Sequence, residues 1–225
     1  MRQLYLSLII FCCTFTIYAQ NDPTTFLGIP VDGNKEEVIQ QLYAKGFVVN
    51  PQTPEFLMGE FNGTQVNVGV ATNKNKVWRI MVIDSEPTDE RNIKLRFNRL
   101  CKQFESNDRY LSPVPHGSYS ISEDEDISYE MNMRNKQYTA TYNQKLTISL
   151  DTVNLTHRIR EMVASNFQNK IDTVTDELVD EVFKNIVFDI IDKKQVWFTI
   201  MQFNNDYLIA MFYDNLNNQA NGEDL

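Results

Sequence analysis

The chain is poor in the residues from which most active sites are built. Among 225 residues there are 2 histidines and 3 cysteines, and the 8 glycines form neither a phosphate-cradling loop nor a dinucleotide fingerprint. His116 stands between Pro115 and Gly117 in a loop-like stretch, and His157 in a helical one. No His-x-x-x-His or Glu-x-x-His spacing occurs, so no zinc site is expected. There is no Gly-x-Ser-x-Gly elbow, and "HGSYS" has the wrong flanks for one. Positive charge is also short. Lys and Arg number 21 against 30 Asp and Glu, a net of −9, which argues against a binder of the phosphate backbone, so nucleic acid is not an expected partner. No metal or other cofactor is read from the chain. What remains, 42% hydrophobic and 23% charged, is globular material with enough length to bury a core.

The long hydrophobic run lies at the amino end. "MRQLYLSLIIFCCTFTIYAQ" places Arg2 before an uncharged, mostly apolar stretch from Leu4 to Ala19, followed by polar "NDPTT". That is the order of an export signal cut after Ala19, and the stretch is shorter than the roughly 20 apolar residues that cross a bilayer comfortably. Ile17, third before the cut, is larger than the usual small residue. Cys12 and Cys13 sit inside the run behind Phe11 and Cys12, where a lipidated cysteine needs a small neighbour, so lipidation is not expected. Cleavage would remove Arg2, taking the charge from −9 to −10 (−9 less one positive charge), and leave Cys101 alone. One cysteine makes no intrachain disulfide, so the core must hold the domain. The expectation is an exported protein, periplasmic or secreted, with no membrane span in the mature chain.

Periodicity predicts an α+β protein. In "VDGNKEEVIQQLYAKGF", Asn34 caps a helix with Glu37 three residues on, Val38, Ile39, Leu42 and Tyr43 form its stripe, and Gly46 stops it. "FLMGEFNGTQVNVGVATNKNKVWRIMVID" reads as three strands, with a tight primed turn at Asn62 and Gly63 and a looser one at "NKNK". The strand from Val77 to Ile83 is apolar on both faces except for Arg79, which makes it central. Ile93, Phe97, Leu100 and Phe104 then recur at helical spacing, and Cys101 shares their face as a small core residue. Arg91, Lys94, Arg96, Arg99 and Lys102 fall on several sides of that helix and read as a solvated surface. "YLSPVPHGSYSISEDEDIS" reads as a connection. "ISYEMNMRNKQYTATYN" gives two strands turned at "RNKQ", and "KLTISL" a short one. Helices are expected from near Asn154 to Phe167, where Leu155, Ile159, Met162, Val163 and Phe167 share a stripe, and through "TDELVDEVFKNIVFDII". "QVWFTIMQFNNDYLIAMFYD" closes the chain as a hairpin around Asn204 and Asn205.

Laying Gln65–Asp84 on Gln195–Asp214, an offset of 130 (195 − 65), pairs Val66 with Val196, Val68 with Phe198, Val70 with Ile200, Asn75 with Asn205, Met81 with Met211 and Asp84 with Asp214. The expected architecture is an antiparallel sheet built from two helix-and-hairpin units, with helices packed on one face. The units are residues 20–108 and 127–225, joined by a linker or flap at 109–126 after the signal at 1–19.

"FLGIPVDGNKEEVIQQLYAKGF", "GEFNGTQVNVGV" and the closing "YDNLNNQANGEDL" resemble a set of poorly characterised exported proteins of Bacteroidetes-type bacteria. The resemblance implies location and overall design and brings no catalytic residues. More loosely, helices packed on antiparallel hairpins look like the beta-lactamase-inhibitor-protein fold and the small lipoprotein of the outer-membrane barrel-assembly machine. Both are interaction modules.

The two acidic stretches do not read as cation sites. Counted from Asp214, a calcium loop would need glycine where Gln219 stands; counted from Asn215, where Ala220 stands. Asp214 and Asn215 instead end the last strand. Glu123, Asp124, Glu125 and Asp126 are consecutive and read as a solvated run. The candidate binding residues are Trp197, Thr199 and Met201, which share one side of the strand from Val196 to Gln202 opposite Val196, Phe198 and Ile200. Helices covering only one sheet face would leave that side for a protein or glycan partner of the cell envelope, or for weak pairing of an otherwise monomeric chain. Trp78 and Trp197 occupy non-equivalent positions in the two hairpins, against a duplicated aromatic clamp. The function read is a non-catalytic binding module. The alternative is an envelope or glycan hydrolase using an unidentified pair among the 30 carboxylates.

Overall fold

The computed structural model describes residues 22–147, 152–166 and 175–220. The expected signal at 1–19, the strand positions 148–150, and the side chains of Met162, Val163 and Phe167 lie outside the described residues. The fold is α+β, with five helices among the described residues and a mostly antiparallel sheet. The chain divides into two compact units. Of the described residues, the larger takes 24–145 and 194–220, and the smaller 22–23, 146–147, 152–166 and 175–193.

The larger unit is an eight-stranded antiparallel sheet in the order β3-β4-β5-β6-β10-β9-β8-β7. Its strands are β3 (Val48–Val49), β4 (Leu57–Phe61), β5 (Thr64–Asn73), β6 (Lys76–Asp84), β7 (Tyr110–Leu111), β8 (Thr139–Gln144), β9 (Lys194–Phe203) and β10 (Asp206–Asn215). A separate two-stranded ribbon, β1 (Thr25–Phe26) with β2 (Ile29–Pro30), precedes it. Strand β6 is central, as its two-sided apolarity predicts, with β5 on one side and β10 on the other. The "NKNK" turn is tighter than expected: Lys74 and Asn75 both have positive φ, so two residues close the hairpin just as Asn62 and Gly63 do.

Helices α1 (Lys35–Ala44), α2 (Glu90–Glu105) and α3 (Ile127–Arg134) pack on one sheet face. Asn34 caps α1 by accepting from the Glu37 amide, and Gly46 at φ +93° ends it. Asp89 caps α2 and accepts from the Asn92 amide. From α2, Ile93, Phe97, Leu100, Cys101 and Phe104 enter the core, where Phe97 meets Phe198 edge-on at 5.1 Å between ring centres. Helix α3 is a correction, because "ISYEMNMR" alternates like a strand. Asp126 accepts from the Tyr129 amide at its start, and left-handed Asn135 (φ +53°) stops it. Its inward contacts are Ile127 and Met131, four apart, while Tyr129 and Met133 are exposed. The alternation therefore mixed one buried helical pair with two surface residues. Residues 109–126, expected as a link between halves, lie within the larger unit. Asn98 of α2 there donates to the Ile121 carbonyl and accepts from the Ile121 amide, each at 2.8 Å.

The smaller unit holds α4 (Thr152–Asn166) and α5 (Asp176–Asp192). Leu155, Ile159 and Ala164 of α4 bury against Val179, with Leu178, Val182, Phe183 and Ile186 around them. Helix α5 runs unbroken through "IVFDII", and Arg160 pairs with Asp176 across the two helices.

The sheet admits no added volume at Gly59. A Cβ there would stand 2.6 Å from the buried Phe47 ring. Gly59→Ala is expected to cost about 1–3 kcal/mol by overpacking, measured by chemical denaturation.

Candidate functional site

The candidate face is the side of the sheet opposite α1, α2 and α3. Register places its side chains in rows: Arg79 beside Asp214 and Gln195, then Met81 beside Phe212 and Trp197, then Ile83 beside Ala210 and Thr199. Leu208 with Met201 and Asp206 with Phe203 follow toward the hairpin tip.

An ion pair holds the first rows. Arg79 Nε donates to Asp214 Oδ1 at 2.7 Å and Nη2 to Oδ2 at 2.6 Å, while Trp197 Nε1 donates to Oδ2 at 2.9 Å. The Asp214 side chain is 1% exposed and that of Arg79 is 21%. The guanidinium lies 4.3 Å from the Trp78 ring centre, 5.4 Å from Trp197 and 4.8 Å from Phe212. Trp197 also stacks on Phe212 at 4.1 Å.

Trp78 reaches this cluster through a β-bulge. The register runs Ala71 with Arg79 and then Thr72 with Val77, so Trp78 is the extra residue and comes to lie beside Arg79. Sequence spacing alone kept the two tryptophans apart. The bulge also decides which of the offset-130 pairs share a face. Val66, Val68 and Val70 lie on the helix side, as do Val196, Phe198 and Ile200. Beyond Trp78 the correspondence slips by one. Met81 and Asp214 point away from the helices, whereas Met211 and Asp84 point toward them.

The three candidate residues have different situations. Trp197 is half-buried, with its indole donor committed to Asp214. Thr199 donates to the Tyr138 carbonyl and accepts from the Thr139 hydroxyl, each at 3.1 Å. Met201 is 43% exposed, and the next residue on that side, Phe203, is 55% exposed. The open apolar surface thus lies closer to the hairpin tip than Trp197.

Two concave surfaces lie elsewhere on the larger unit. One, about 700 Å³, has Phe61, Phe104, Tyr110 and Tyr213 at its base and the hydrogen-bonded pair Asn62 and Gln103 at its rim. The other, about 760 Å³, runs along the outer side of α2. Burial raises the Cys101 thiol to about 12, so it stays protonated and inert at neutral pH. Burial likewise lifts the Tyr213 phenol well above its ordinary value. His157 faces Glu161 on α4 at 3.6 Å. Among the described residues no group of three His, Cys, Asp or Glu is placed to hold a metal ion.

The acidic run is structural in three of its members. Asp126 caps α3, and the carbonyls of Glu123 and Glu125 accept from Lys94 Nζ at 2.7 and 2.8 Å. The Glu125 carboxylate accepts from Lys136 and from the Tyr138 hydroxyl, and these bonds, the Lys136 one foremost, hold its pKa below the usual glutamate value. At the other acidic stretch, Asn215 opens a 3₁₀ turn at Leu216–Asn218, and residues 221–225 lie outside the described ones.

Comparison with family models, with curated proteins and with solved structures finds no match to this chain. Any functional reading therefore stands on the residues themselves.

The signals for the ion pair were present in part. Arg79 is the one charge in an apolar strand, and Asp214 ends the strand that lies beside it; the pairing of β6 with β10 was what sequence did not supply. Asp214→Leu, which leaves Arg79 without its counter-ion, is expected to cost about 3 kcal/mol, and joint Arg79→Met with Asp214→Leu less than the sum of those two single changes. A double-mutant cycle by denaturation reads this, and additive costs would show that the two are not coupled. Glu125, with its folded pKa lowered, contributes stability above the unfolded carboxylate range and loses it as pH falls through the folded value. Lys136→Met is expected to raise the Glu125 midpoint and shrink that acid loss, both followed by NMR titration.

Proposed function

We propose that this is an exported, non-catalytic binding module of the bacterial cell envelope, engaging a protein or glycan partner as a monomer or weak homodimer. The location rests on Arg2 and the apolar run from Leu4 to Ala19, and on the resemblance of the opening helix and both hairpins to exported Bacteroidetes-type proteins. The binding role rests on one observation: Met201 and Phe203 stand exposed, two residues apart on the same side of β9, at the end of a sheet face stiffened by the Arg79 and Asp214 pair. Paired exposed apolar groups on rigid strands bind with little loss of conformational freedom. Trp197 and Thr199 position this row from within, and Met201 contacts the partner.

The test is affinity capture from an envelope extract of the producing bacterium, using residues 20–225 and the same chain with Met201→Glu and Phe203→Glu. Retention of a discrete partner by the first and its loss by at least about tenfold in the second is expected, with an unchanged far-UV circular dichroism spectrum. Identical capture by both chains would remove this row from the binding surface.

A further inference from the structure

The surface along the outer side of α2 carries charge in a particular order. Two of the five basic residues of this helix work inside the fold. Arg96 grips Asp84 with two bonds at 2.5 and 2.7 Å, and Lys94 binds the carbonyls of Glu123 and Glu125 and faces Glu90 at 3.7 Å. The other three, Arg91, Arg99 and Lys102, are exposed, line the 760 Å³ groove, and meet no salt-bridge partner among the described residues. Leu95, four residues from both Arg91 and Arg99, is 51% exposed between them. The facing wall is the segment at 121–124, whose Glu123 and Asp124 carboxylates are exposed and likewise meet no salt-bridge partner.

The walls are fixed before anything binds. Asn98 ties the Ile121 backbone to α2 with two hydrogen bonds, Lys94 ties the next turn of the segment, and Glu90 accepts from the Ile127 amide at 3.0 Å. Opposite charges are therefore held apart across a groove and not spent on each other. Each wall remains solvated, with Arg91 near Asp89, and its charges lie open to a guest that presents both signs. On a chain of net −9, three cations on one helix face opposite Glu123 and Asp124 make a surface of both signs.

We infer that this groove is a second binding site, and that it takes an extended peptide segment of mixed charge: carboxylates toward Arg91, Arg99 and Lys102, an apolar side chain on Leu95, and ammonium or guanidinium groups toward Glu123 and Asp124. Arg91 to Lys102 spans about 16 Å at 1.5 Å per helical residue, so about five extended residues fill it.

The experiment is fluorescence anisotropy with labelled eight-residue peptides that alternate Glu and Lys around a central Leu, compared with all-Glu and all-Lys peptides of equal length. The mixed peptide is expected to bind at least about tenfold tighter than either single-sign one. Binding should weaken as salt rises. Arg99→Glu with Lys102→Glu, and separately Glu123→Lys with Asp124→Lys, should each lose that advantage, and all four changes together should restore it. These side chains are exposed, so the melting temperature should hold in every variant. Equal binding of all three peptides, tighter binding of the all-Glu peptide, or failure of the fourfold exchange to restore affinity would each overturn the proposal.

Discussion

The seam between β6 and β10 is the constraint on which the larger unit depends. It joins a hairpin formed early in the chain to one formed at its end, and neither turn fixes how the two should register. Side chains do so from both sheet faces. On one, Asp214 of β10 receives Arg79 of β6 and the Trp197 indole. On the other, Asp84 of β6 receives Arg96 from α2 and the Ile209 amide of β10 at 3.1 Å. A one-residue slip would exchange the faces, turning Asp214 into the apolar layer under α2 and stranding Arg79. A buried carboxylate without its partner is costly enough that the correct register is selected mainly by what the alternatives would leave unpaired.

Position along the chain then explains what could be read from sequence. Helices α1, α2, α4 and α5 and the hairpin turns at Asn62 and Asn204 announce themselves through caps, stripes and left-handed residues, all local signals. Helix α3 did not, because its eight residues bury only one inward pair and its exposed Tyr129 and Met133 fall on the beat of a strand. The seam could not be read locally either. Asp84 and Asp214 look equivalent by spacing, yet they serve opposite faces, since one extra residue at Trp78 shifts everything beyond it. A bulge leaves no mark in a pattern of apolar residues that is already apolar on both sides.

That same residue shapes the candidate face. Without the bulge, Trp78 would alternate to the helix side and Arg79 would have one aromatic neighbour fewer. With it, Arg79 sits among Trp78, Trp197 and Phe212 while its charge is met by Asp214. The aromatic groups that sequence reading set out as a possible contact surface are therefore largely occupied in holding a cation of the protein itself. Exposed apolar area is displaced along β9 to Met201 and Phe203, beyond the last ion pair, where the hairpin needs no further clamp.

A parallel division of labour governs the basic helix. Arg96 and Lys94 face inward or toward the 121–126 segment, and each is satisfied by groups that α2 itself brings within reach. Arg91, Arg99 and Lys102 lie on the turns between, where the helical period carries them away from the sheet. The segment that could have supplied counter-ions has its nearest polar contacts taken by Asn98 and Lys94 through backbone groups, which hold it in place by its carbonyls and amide while leaving Glu123 and Asp124 directed to solvent. Attachment through the main chain separates the two signs of charge, because a loop anchored by its side-chain carboxylates would have neutralised the very residues that make this surface different from the rest of an acidic protein.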